Sequence, residues 1–270
     1  METVFFLRHM FLLFGLLLLP GPLLASTAAA AGATFTLKNS CPYTIWPGVL
    51  SGNGVAVLGG GGFELPPNAS ASFVAPPGWS GRFWARTRCL FGSSSAKGSC
   101  ATGDCGGALR CAVGGAPPVT LAEFTLGDGG GGTMDFYDVS LVDGYNVGIG
   151  VRPSAAAEAI RDGSCRYAGC VADVNARCPA ELRVAAEDSG ETVACRSACE
   201  AFGSEEFCCT GAHGSAATCG PTRYSQLFKA ACPAAYSYAF DDATITFTCA
   251  AGAADYLLTF CPTPAGADMS

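Results

Sequence analysis

The chain has 270 residues, of which 16 are cysteine and only 14% are charged, with a net charge of −7. No Lys/Arg run interrupts that acidic balance. This excludes a protein that tracks phosphates along nucleic acid and one held to anionic lipid by charge, so a neutral or cationic partner suits it better.

Residues 1–31 read as a removable leader. Arg8 and His9 precede an apolar run from Phe11 to Leu19; a Pro20-Gly-Pro22 break follows, then small residues from Ala25 to Ala33. That order is the signature of a secretory signal peptide, and the run is too short to span a bilayer. Cleavage removes one acid, Glu2, and one base, Arg8, so the charge is unchanged. The expected product is an exported monomer, extracellular (apoplastic) or vacuolar, with no integral membrane segment. The short tail at 262–270 carries no lipid-anchor signal.

All cysteines follow the leader. In an oxidising compartment they are expected to form disulfides, each contributing roughly 2–4 kcal/mol by restricting the unfolded chain. Zinc is the competing use of clustered cysteines. No CxxC pair occurs, however, and His213 is the only histidine beyond the leader, so no metal and no cofactor is expected. His213 itself reads as an exposed loop residue.

Ala33–Asn39 alternates polar and apolar residues and predicts a first strand, which Cys41–Gly48 continues to a turn. Pro66-Pro-Asn68 predicts a turn between short strands, and Asn68-Ala-Ser70 is a glycosylation sequon within it. Gly81–Cys89 alternates again: Arg82, Trp84 and Arg86 share one side, Phe83 and Ala85 the other. The arginines read as surface charges, or as partners of the acids described next if strand pairing brings Arg82 beside them. Trp79 and Trp84 read as packing residues. Cysteines spaced closely among glycines at 89–111 predict small stapled loops.

The stretch from Thr120 to Tyr145 holds five carboxylates: Glu123, Asp128, Asp135, Asp138 and Asp143. Leu121–Leu126 is expected to fold back on Met134–Val142 across a glycine-dense turn. Asp138 then shares a face with Phe136 and Ser140. Asp143 has the opposite parity, which the Asp143-Gly144 turn signal can re-aim. Such acids either line an anionic cleft or point at water.

Asn146–Val151 alternates, and Ser154–Ala159 reads as a small-residue linker. From Cys165 to Cys232 apolar periodicity fades and cysteines crowd, so bridges replace burial in a segment that lacks a core of its own. Glu181–Ala186 and Tyr224–Cys232 are expected as short helices. Tyr236–Phe240, Thr244–Cys249 and Tyr256–Cys261 return to β character. The expected fold is mainly β: a sandwich core over 32–164 plus 233–261, interrupted by a disulfide-rich lobe over 165–232, with a cleft between them.

Several motifs together resemble the thaumatin-like proteins, the fifth group of plant pathogenesis-related proteins. They are Asn39-Ser-Cys-Pro-Tyr-Thr-Ile-Trp, Arg82–Thr87, Thr102-Gly-Asp-Cys-Gly-Gly, Leu121-Ala-Glu-Phe, Asp135-Phe-Tyr-Asp-Val-Ser-Leu-Val-Asp-Gly, Cys208-Cys-Thr, Cys219-Gly-Pro-Thr and Ala235-Tyr-Ser-Tyr-Ala-Phe-Asp-Asp. The similarity spans nearly all of 33–261. It implies a flattened β-sandwich and the pairing Cys41–Cys261, Cys89–Cys100, Cys105–Cys111, Cys165–Cys249, Cys170–Cys232, Cys178–Cys195, Cys199–Cys208 and Cys209–Cys219. It also implies a cleft quintet: Arg82, Glu123, Asp138, Asp143 and Asp241. Gly148, Ala96 and the run Gly129–Gly132 depart from the family pattern without touching that quintet.

What the resemblance implies of function is defence: binding of β-1,3-glucan or another wall polysaccharide, antifungal action, and weak endo-β-1,3-glucanase activity. Glycoside hydrolysis needs one protonated carboxyl and one base or nucleophile. Glu123 is the natural acid, Asp138 or Asp143 its partner, and Arg82 the group that keeps the other acids ionised. The alternatives are a lectin-like groove without chemistry, an inhibitor that docks the basic surface of a hydrolase such as a xylanase or amylase, and a structural stress protein.

Overall fold

A computed structural model of the chain describes residues 32–52, 54–92, 97–129, 133–155 and 165–263. The leader at 1–31, Ala96, residues 130–132 of the glycine run, most of the linker and the end of the tail lie outside the described residues.

The strands, in chain order, are β1 (Ala33–Asn39), β2 (Ile45–Ser51), β3 (Ser70–Ala75), β4 (Ser80–Thr87), β5 (Leu90–Phe91), β6 (Gly98–Ser99), β7 (Leu121–Thr125), β8 (Met134–Ser140), β9 (Ile149–Ala155), β10 (Ala168–Gly169), β11 (Arg183–Ala185), β12 (Thr192–Cys195), β13 (Phe247–Ala250) and β14 (Ala254–Phe260). Among the described residues they build two five-stranded sheets, β10-β9-β14-β1-β3 and β13-β8-β7-β4-β2, plus the two-stranded pairs β5-β6 and β11-β12. β1 and β14 run parallel, which ties the start of the described chain to its end. Most other pairs in the two large sheets are antiparallel, so each sheet can bury one face and leave the other to solvent or loops.

Alternation decides which face is buried. In β1, Ala33, Phe35, Leu37 and Asn39 point inward; in β14, Ala254, Tyr256, Leu258 and Phe260 do; in β8, Asp135, Tyr137 and Val139 do. The inner faces meet in an aromatic cluster. Phe35 lies 4.7 Å from Phe124 and 5.0 Å from Phe83, and Phe124 lies 5.2 Å from Tyr256, measured between ring centroids. Burying each ring contributes about 2 kcal/mol. Asp135 is buried here too, accepting hydrogen bonds from the Tyr256 hydroxyl (2.7 Å) and the Gly127 amide (2.9 Å).

The lobe is built from the β11-β12 hairpin and three short helices, α1 (Ala198–Phe202), α2 (Glu205–Cys208) and α3 (Arg223–Ala231). Its buried Leu182, Tyr224 and Phe228 join the same apolar core as the sheets. All 16 cysteines are bridged, in the eight pairs that the resemblance implies. Among the described residues no helix is long and apolar enough to cross a membrane.

Four local expectations are corrected. Cys41–Gly48 does not continue β1 but crosses to the other sheet as β2. Glu181–Ala186 is not a helix: a 3-10 turn at Ala180–Leu182 leads into β11, whose backbone is taken by β12. Tyr236–Phe240 is not a strand; only a single bridge joins Tyr236 to Ser140, and turns follow. Ser154 and Ala155, read as the start of a linker, close β9.

Candidate functional site

The outer face of the second sheet divides into a covered end and an open end. On β4, Arg82, Trp84 and Arg86 all point outward. The stapled segment that follows folds over Trp84 and Arg86, and both are fully buried. The Trp84 indole N–H donates to the Gly103 carbonyl at 2.9 Å. The Arg86 guanidinium donates to the carbonyls of Trp46 (2.9 Å), Pro47 (3.2 Å), Ala108 (2.6 Å) and Leu109 (2.8 Å). Arg86 is therefore not a surface charge. Burial lowers its pKa to about 10, so it stays cationic at neutral pH, solvated by carbonyl dipoles.

Among the described residues no segment seals Arg82, whose side chain is 40% exposed. Register places it opposite Glu123 on β7, and Glu123 opposite Asp138 on β8. Residues directly opposite in an antiparallel pair hold their Cβ atoms about 5 Å apart. Three charged groups thus form one row across three strands, with Leu50 of β2 at its end. Arg82 Nη1 stands 4.0 Å from Glu123 Oε1, with the two side chains 40% and 42% exposed. The row floors a concavity of about 320 Å³ whose rim carries Ser51, Thr125 and the exposed ring of Phe136.

Both acids in the row are shifted upward. Burial raises the pKa of Asp138, and the neighbouring Glu123 charge adds to it, bringing it to about 7. Glu123 is also raised by burial; Arg82 pulls it down and Asp143 pushes it up. Both carboxyls are raised, and Arg82 lies beside Glu123 and not beside Asp138, so only Glu123 has a cation opposing the rise.

Asp143 lies past the end of β8. The Gly144 amide donates to the Leu141 carbonyl at 3.0 Å, and Gly144 adopts φ +88°. A side chain there would sit 2.9 Å from the Cys195 carbonyl, so glycine is required and the chain turns sharply. The turn carries Asp143 into a second concavity of about 280 Å³ between the sheet and the lobe, faced by Glu200, Glu206, Tyr224 and Tyr238. Burial raises the Glu200 pKa; Arg196 opposes this and Asp143 adds to it. The sequence pattern singles out neither Glu200 nor Glu206. The Ser197-Ala-Cys-Glu200 spacing is the available signal: the Ser197 hydroxyl accepts from the Glu200 amide and starts α1 there.

Asp241 lines neither concavity. Its side chain is 9% exposed and its oxygens are taken by Lys229 Nζ (2.6 Å), the Ser237 hydroxyl (2.7 Å), the Ser237 amide (2.9 Å) and the Asp242 amide (2.8 Å). Burial alone would raise its pKa, but these donors outweigh it and hold the carboxyl below the usual range. It braces the loop that presents Tyr238. His213 is half-buried rather than loose: its Nδ1 donates to the Thr218 carbonyl at 2.9 Å. Asn68 is exposed at φ +63° in its predicted turn.

Comparison with known proteins adds identity to this geometry. Residues 39–262 match the Thaumatin family. The chain is 60% identical over 234 residues to pathogenesis-related thaumatin-like protein 3.5 of Cryptomeria japonica, covering 86% of this chain and 91% of that one. It is 58% identical over 240 residues to pathogenesis-related protein 5 of Arabidopsis thaliana, covering 88% and 94%. A protein of Prunus avium named glucan endo-1,3-beta-glucosidase is 48% identical over 239 residues, covering 88% and 94%.

Proposed function

The chain belongs to the thaumatin family, and from that premise we propose that it is an exported defence protein that binds β-1,3-glucan along the acidic strip formed by Arg82, Glu123, Asp138 and Asp143. The observation that carries this reading is the Arg82–Glu123–Asp138 row, set in register on an uncovered sheet face. Carboxylates accept hydrogen bonds from vicinal sugar hydroxyls, a protonated Asp138 can also donate one, and Arg82 supplies fixed donors. The name of the Prunus avium relative, glucan endo-1,3-beta-glucosidase, points to the same polymer. Eight disulfides suit the oxidising compartment to which the leader directs the chain.

Binding is the principal activity. Asp138 and Glu123 also make up the carboxyl pair that glycosidic cleavage requires, with Asp138 as the protonated member. Retention on insoluble β-1,3-glucan tests the reading: the wild type is retained, and the Glu123→Ala/Asp138→Ala variant passes through. Equal retention of both moves the site elsewhere. Reducing-sugar release from laminarin, followed from about pH 4 to about pH 7 across the titration of Asp138, separates an enzyme from a binder.

A further inference from the structure

A larger open groove of about 700 Å³ crosses the disulfide-rich lobe beside the Asp143 concavity. The two share one wall, made of Glu206, Phe207, Gly220, Thr222 and Tyr224. A linear polymer that leaves the first groove over that wall enters the second. There the surface changes character. Phe202, the last residue of α1, is 43% exposed. Its ring stands 5.4 Å from Phe207 and 5.4 Å from Tyr224, and those two are 5.6 Å apart. Two rings thus hold a third in place while much of it remains in water.

Polar groups surround this platform. Thr218, Thr222 and His213 line the same groove. The His213 Nδ1 bonds to the Thr218 carbonyl, which fixes the ring at the groove edge. A held aromatic ring within a fringe of hydroxyls and one imidazole matches a pyranose, whose C–H face is apolar and whose rim is hydroxylated. The Thr222 hydroxyl accepts from the Ser225 amide and the Thr218 hydroxyl is bonded to Ser215, so a sugar would use their second lone pairs. A phosphate would find one cation here, Arg223, already engaged by Glu181 and by the face of the Tyr224 ring.

We propose that this lobe groove is a second sugar subsite, in which Phe202 stacks on residues of a β-glucan chain extending beyond the Asp143 concavity. The subsite rests on the glucan reading above and deepens it: the protein would select long chains over short ones.

Calorimetric titration with β-1,3-gluco-oligomers of increasing length tests it, using wild type, Phe202→Ala and Phe202→Trp. Wild-type affinity is expected to rise with length. Phe202→Ala should bind the shortest oligomers like wild type, which also reports an intact fold, and lose about fivefold to tenfold on the longest. Phe202→Trp should keep the length dependence. If Phe202→Ala matches wild type at every length, the subsite is overturned while the first groove stands. If wild type binds no oligomer at all, both readings fall.

Discussion

Arg82 and Arg86 share one face of one strand, yet they do different work. Arg86 is sealed under the stapled loops with its donors spent on four backbone carbonyls. Arg82 stands in water, 4.0 Å from Glu123. Their residue type and strand parity are the same; the cover is not. A buried cation is costly to desolvate and becomes structural once its donors are matched. An exposed pair contributes at most about 1 kcal/mol to stability, so its loss is tolerated by the fold and it is available to a ligand.

The largest expected effect follows from that contrast. Arg86→Met strands the Ala108 and Leu109 carbonyls and should cost about 3–5 kcal/mol, read by calorimetric unfolding. Arg82→Ala should stay within about 0.5 kcal/mol of wild type yet lose glucan retention. Equal destabilisation by the two would erase the distinction between covered and open ends.

Asp241 sharpens the comparison among the acids. Asp241→Ala removes the acceptor of Lys229 and Ser237 and should cost about 1–3 kcal/mol, seen as a lower urea midpoint. The folded fraction should still be retained on glucan. Retention lost without loss of stability would make Asp241 a ligand contact after all.

A further effect is in pH. The folded pKa of Asp138, about 7, lies above its ordinary value of 3.8. A carboxyl raised in this way favours the folded state while it is protonated. Its contribution is full below 3.8 and is lost as pH rises through about 7, because the unfolded chain ionises first. The melting temperature should therefore fall across that window, and Asp138→Asn should flatten part of the slope. Glu123 and Asp135, raised in the same direction, supply the remainder.

Much of the scaffold was legible because it rests on local alternation. β1, β4, β7 and β8 follow parity, and the Glu123–Asp138 pairing follows from folding one strand back on the next. The disulfide pairs came from family resemblance, not from spacing. What escaped was set by distant segments. No local signal shows that residues after Cys89 return to cover Arg86. Asp241 and Asp242 are alike in sequence, and only Lys229 on α3 distinguishes them. Arg183–Ala185 has helical composition on either side, but β12 claims its backbone. Glu200 and Glu206 sit on helices of under two turns, too short for a periodic pattern.

The claim that ligand lies on the open end of the sheet is tested most directly by mapping amide shifts as laminarihexaose is added to isotope-labelled protein. The account predicts that Arg82, Glu123, Asp138 and Asp143 shift while Arg86, Ala108 and Leu109 stay still. Shifts confined to the covered end, or an unmoved strip with saturable binding elsewhere, would contradict it.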